Sequence, residues 1–100
     1  MTNVIYTPRE ISERLSGVFD SYNVNKAILF GSYAKGLAGK QSDVDIYVDS
    51  GLKGLAFFGL LEDVTESLDK KIDLIDSTQV KRDSPIDREI MESGVVIYER

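Results

Sequence analysis

Four short aliphatic runs, separated by segments of a different period, constrain this chain most. They are Lys26–Phe30 (KAILF), Asp43–Asp49 (DVDIYVD), Lys71–Asp76 (KIDLID) and the VVIYE run that begins at Val95. Each has strand length, and the second alternates apolar and polar residues as a half-buried strand does. Between them lie helical patterns. Thr7-Pro8-Arg9-Glu10 is a capping box with proline at the first helical position. Ile11, Leu15, Val18, Phe19 and Tyr22 follow at helical spacing, and Ser21–Asn25 ends that helix. Tyr33–Lys40 reads as a short helix or loop, Gly51–Gly54 as a turn, and Leu55–Leu68 as a helix. Ser84-Pro85-Ile86-Asp87 reads as a capped helix start, running to Ser93 with Gly94 as the stop. The order is helix, strand, short helix, strand, helix, strand, helix, strand. It implies an α/β or α+β sheet of about four strands with helices against it, and it leaves the strand order open.

Length and composition narrow the chemistry. One hundred residues is the size of one domain, and we expect residues 1–100 to form one. A hydrophobic fraction of 42% with 29% charged residues is that of an ordinary globular protein. No apolar run approaches the roughly 20 residues of a membrane helix. The opening MTNVIYTPRE lacks the basic region and apolar core of a secretory signal. The absence of cysteine gives no reason to expect export, so a cytoplasmic location with no membrane partner is the expectation. Without cysteine or histidine, zinc fingers, Ser-His-Asp triads and Cys-His pairs are excluded. Carboxylates, hydroxyls, lysine and arginine remain, and carboxylates suit hard cations such as Mg²⁺. A net charge of −5 disfavours nucleic acid as a partner but not a single nucleotide whose charge a metal neutralises.

The candidate site lies between Gly31 and Asp45. On a strand, Val44, Ile46 and Val48 face one way, and Asp43 and Asp45 face the other, close enough to share a cation. The plain alternative is a solvated strand face. A calcium loop fails, because counting from Asp43 puts Val48 where glycine is needed and Gly54 where glutamate is needed. Gly31-Ser32 follows the AILF run, where freed backbone N–H groups and a hydroxyl can hold phosphate oxygens. The plain alternative there is an ordinary turn with Ser32 as helix cap. A Walker A loop fails, since Leu37 stands where the lysine should be. Asp73 is a third acid of the same facing, but spacing alone makes Asp76 an equal candidate.

Together, Gly31-Ser32-Tyr33-Ala34-Lys35-Gly36 and Ser42-Asp43-Val44-Asp45-Ile46 resemble the signature of the nucleotidyltransferase superfamily that includes DNA polymerase β. The nearest likeness is to its minimal single-domain members, over nearly the whole chain. The resemblance implies an α+β fold, a small mixed sheet flanked by helices. It implies that Gly31, Ser32, Lys35 and Ser42 bind the nucleotide, and that Asp43, Asp45 and Asp73 are the metal-binding and catalytic acids. Asp73 fits better than Asp76 because the family's third acid lies between aliphatic residues. Lys35 stands where many members have arginine, and lysine lacks the bidentate fork. Two Mg²⁺ ions and ATP are the implied cofactor and substrate. Many such proteins are antitoxins paired with a HEPN-domain toxin from the adjacent gene, transferring AMP to a tyrosine of it. Two alternatives stay open: an antitoxin that neutralises its partner by binding alone, and transfer to a small hydroxyl substrate. The Leu55–Leu68 segment is apolar nearly all round, which fits either a partner-facing surface or deep burial.

Overall fold

A computed structural model of the chain describes residues 2–100. Its elements are α1 (Pro8–Ser21), β1 (Lys26–Phe30), α2 (Gly31–Ala34), β2 (Val44–Asp49), α3 (Leu55–Leu68), β3 (Ile72–Asp76), α4 (Pro85–Ser93) and β4 (Val95–Glu99), with a 3₁₀ turn at Ser77–Gln79. The fold is α+β. The strands form one sheet in the order β3-β2-β1-β4. β1 runs antiparallel to both β2 and β4, and β2 runs parallel to β3. The parallel pair requires a crossover, and α3 supplies it.

Local chemistry accounts for the helix ends. Both bonds of the α1 capping box form: the Glu10 N–H donates to Thr7 Oγ1 (3.1 Å) and the Thr7 N–H to Glu10 Oε1 (2.8 Å). Ser84 caps α4 by accepting from the Asp87 N–H at 3.2 Å. Gly94 does end α4, but not through a left-handed turn, since its φ is −68°. Glycine is required there by space: a Cβ would strike the Ile90 carbonyl oxygen and the Ile28 side chain.

One face of the sheet packs on α1 and α3. Ala27, Leu29, Val44, Ile46 and Val48 meet Ile11, Leu15, Phe19, Leu60, Val64 and Leu68 there, all fully buried. The alternation in β2 therefore turns Asp45, Tyr47 and Asp49 to the opposite face, where α2 and α4 lie against β2 and β1. Deep burial does not explain the apolar excess of α3. Leu55 is 89% exposed and Phe58 63%, so the surplus lies on the surface at the start of the helix. Among the described residues no helix is long and apolar enough to cross a membrane.

Candidate active site

The short helix begins two residues earlier than the Tyr33–Lys40 expectation and lasts a single turn. Gly31, at φ +72°, turns the chain directly off β1, and helix α2 starts on it. The position before the helix is Phe30, and no side chain caps it, so Ser32 lies inside the first turn instead of capping it. Residues 35–43 then loop back to β2. Two bonds shape this loop: the Gly39 N–H donates to Ser42 Oγ (2.9 Å), and Lys70 Nζ donates to the Lys40 carbonyl (3.1 Å). Lys70 is only 2% exposed, so it ties the acid-bearing loop to the start of β3.

Strand register gathers the acids. Asp45 stands opposite Phe30 on one side and opposite Asp73 on the other. Gly31 follows Phe30, and a Cβ there would collide with the Asp45 carboxylate. Gly31 is thus demanded twice, by its backbone angle and by the carboxylate beside it. Asp43 precedes β2 by one residue and is exposed, with its carboxylate 3.8 Å from Lys71 Nζ. Lys35 follows α2, with its ammonium 3.8 Å from Glu89 Oε2 on α4.

Asp45 carries the electrostatic signature of this end. Burial, then the charges of Asp73, Asp43 and Glu89, push its carboxyl up to about 6. Among the described residues no basic partner offsets that pressure. Such a cluster invites a cation, and oxygen donors of this kind suit Mg²⁺. As the side chains stand, no three acids among the described residues are gathered closely enough to form a ready-made metal centre. Asp43 and Asp73 are both exposed, and the Asp43 carboxylate is engaged with Lys71.

Asp76, the rival third acid, lies elsewhere. It is 3% exposed and opposite Val48, at the far end of β3. Its Oδ1 accepts from the Ser50 hydroxyl (2.5 Å) and N–H (3.2 Å), and its Oδ2 from the Thr78 hydroxyl (2.8 Å) and N–H (3.1 Å). It caps the 3₁₀ turn. Burial pushes its carboxyl up, and the hydrogen bonds together outweigh that and hold it below the usual value. Register thus places Asp73, not Asp76, beside Asp45. Sequence reasoning missed Glu89 and Lys70. Neither carries a local signal, because each reaches the site from a distant element.

The chain belongs to the polymerase beta nucleotidyltransferase family, whose profile matches residues 13–100. No curated protein matches it. Solved structures share the fold. A toxin–antitoxin structure with AMP-PNP superposes with a TM-score of 0.75 at 22% identity, over 89% of this chain and 73% of that one. The Shewanella oneidensis complex of a tri-AMPylated HEPN toxin with MNT antitoxin gives 0.70 at 18% identity, over 94% and 74%. The MntA-HepT toxin–antitoxin gives 0.67 at 18% identity, over 90% and 71%.

Proposed function

We propose that residues 1–100 act as one minimal nucleotidyltransferase unit that transfers AMP from ATP to a hydroxyl, a tyrosine in this reading, of a HEPN-domain toxin, and so act as its antitoxin in the cytoplasm. The observation that carries the reading is Asp45 opposite Asp73, pushed up to about 6 and seated against Gly31. Family membership supports nucleotidyl transfer as the chemistry. The partner class is supported by fold neighbours that are themselves toxin–antitoxin complexes, one with AMP-PNP and one with an AMPylated HEPN toxin.

In this reading the backbone N–H groups after Gly31, the Ser32 hydroxyl, Ser42 and Lys35 hold the triphosphate. Asp43, Asp45 and Asp73 would hold Mg²⁺, which when bound supplies charge neutralisation at the reacting phosphate. Asp73, at the exposed edge strand, takes the proton of the acceptor hydroxyl. The hydroxyl oxygen forms a bond to the α-phosphorus as the bond to the bridging oxygen breaks, and pyrophosphate leaves. The protein's part is mostly positioning. The exposed apolar start of α3 favours a second reading, neutralisation by binding alone, since that surface lies away from the acids.

Co-expression with the product of the adjacent gene, followed by intact mass, tests the proposal. An added mass of one or more AMP units on the partner, lost with Asp45→Asn, supports transfer. A tight complex with an unmodified partner, with ATP and Mg²⁺ supplied, favours the binding-only module.

A further inference from the structure

Lys35 is the cation nearest in sequence to the Gly31–Ser32 turn, and it is already engaged. Its ammonium lies 3.8 Å from the Glu89 carboxylate, with the two side chains 43% and 36% exposed. Glu89 comes from α4, which crosses the same face of the sheet. Its charge also reaches Asp45. Helix α4 packs against α2, the single turn that begins with Gly31 and Ser32, and Glu89 stands beside the end of that turn. Lys35 and Glu89 line an open hollow of about 530 Å³ with Arg88 and Glu92, which leaves both side chains room to swing apart.

As a structural staple this pair has little to offer. Exposed ion pairs contribute little to stability, and α4 is already fixed by the Ser84 cap and the buried Ile90. Its consequence lies in what Lys35 is not free to do. A triphosphate arriving at Gly31–Ser32 meets Glu89 both as a like charge and as a rival for the Lys35 ammonium.

We propose that Glu89 is a competing counter-ion, holding Lys35 in the nucleotide-free protein and lowering the site's affinity for triphosphate. The inference rests on the reading of Gly31, Ser32 and Lys35 as the triphosphate site. Glu89 is then a positioning residue that acts through Lys35, and the release of Lys35 accompanies nucleotide binding.

Calorimetric titration with Mg²⁺ and AMP-PNP tests this on the wild type, Glu89→Gln, Lys35→Met and the double variant. Glu89→Gln is expected to tighten binding by about two- to fivefold, the range an exposed ion pair commands, and to melt with the wild type. Lys35→Met is expected to weaken binding more in the Glu89→Gln background than alone, because the competitor is gone. A merely structural Glu89 would not produce that dependence. Unchanged or weaker binding in Glu89→Gln, or equal Lys35→Met losses in both backgrounds, overturns the inference while the nucleotide reading stands. No binding in any of the four proteins overturns both.

Discussion

β2 and β3 lie side by side, and their two ends treat a carboxylate in opposite ways. At one end Asp45 faces Asp73, gathers no compensating hydrogen bond, and is pushed up to about 6. At the other end Asp76 is more deeply buried, yet it accepts four hydrogen bonds from Ser50 and Thr78 and is held below its usual value. Burial alone does not separate them. Satisfaction does: a buried charge that is fully hydrogen-bonded builds the fold, whereas one left beside like charges is held at a cost in stability. The Asp76 arrangement is a brace between the β2–α3 loop and the end of β3. The Asp45 arrangement is what a site waiting for a cation looks like.

Breaking each end should therefore give different losses. The largest expected effect is on chemistry: Asp45→Asn, and separately Asp43→Asn, lowers AMP transfer by roughly a hundredfold or more while the fold survives. Radiolabelled ATP with the partner protein measures it, and near-wild-type transfer in either variant would remove the site assignment. Asp76→Ala should do the reverse. It leaves the buried donors of Ser50 and the exposed ones of Thr78 without their acceptor and lowers stability by about 2 kcal/mol, read from denaturant unfolding. Activity per folded molecule should persist at low temperature. If Asp76→Ala is inactive while folded and Asp73→Ala is active, the assignment of the third acid is wrong.

The two ends should also separate in pH. The folded value of Asp45 lies above that of an unfolded carboxylate, roughly 4. Between the two values the folded protein holds the proton more tightly. Its contribution to stability is thus present below the unfolded value and lost as pH rises through about 6. In buffer without divalent cations, Asp45→Asn should remove that dependence and stabilise the fold at neutral pH by at most about 2 kcal/mol. Asp76 has the opposite sign: its contribution is present above the unfolded value and lost as pH falls through its lowered one. Thermal melts from pH 2 to 8 check both. A flat profile in the wild type that Asp45→Asn leaves unchanged would count against the electrostatics of the acid end. The smallest effect concerns Tyr33, whose buried hydroxyl has no hydrogen-bond partner among the described residues. Tyr33→Phe should leave stability unchanged or raise it by up to about 1 kcal/mol. A marked loss would mean that the hydroxyl is held by a contact outside the chain.

Elements set by short-range chemistry were legible in the sequence. The Thr7 capping box, the Leu55–Leu68 helix, the Ser84 cap and the inward set Val44, Ile46 and Val48 all stand where spacing puts them. The capping role of Asp76 is also set locally, because the turn residues Ser77 and Thr78 follow it. Features that depend on contacts distant in sequence were not legible. The order β3-β2-β1-β4, the Glu89–Lys35 contact and the Lys70 tie to Lys40 each join segments with no local mark of the encounter. Gly94 shows a subtler gap: its position was readable as a stop, but its reason is the crowding of Ile28 and Ile90, not a left-handed turn. The exposed start of α3 was undecidable from periodicity, since an all-round apolar helix reads the same whether its surplus is covered or bare.

The central claim is that the acid end of β2 and β3 binds a nucleotide only with a cation between the aspartates and the phosphates. Calorimetry of ATP binding to the wild-type protein, with Mg²⁺ and then with the metal chelated, tests it most directly. The expected result is a measurable dissociation constant with Mg²⁺ and loss of binding without it. Equal ATP affinity under both conditions would contradict the claim.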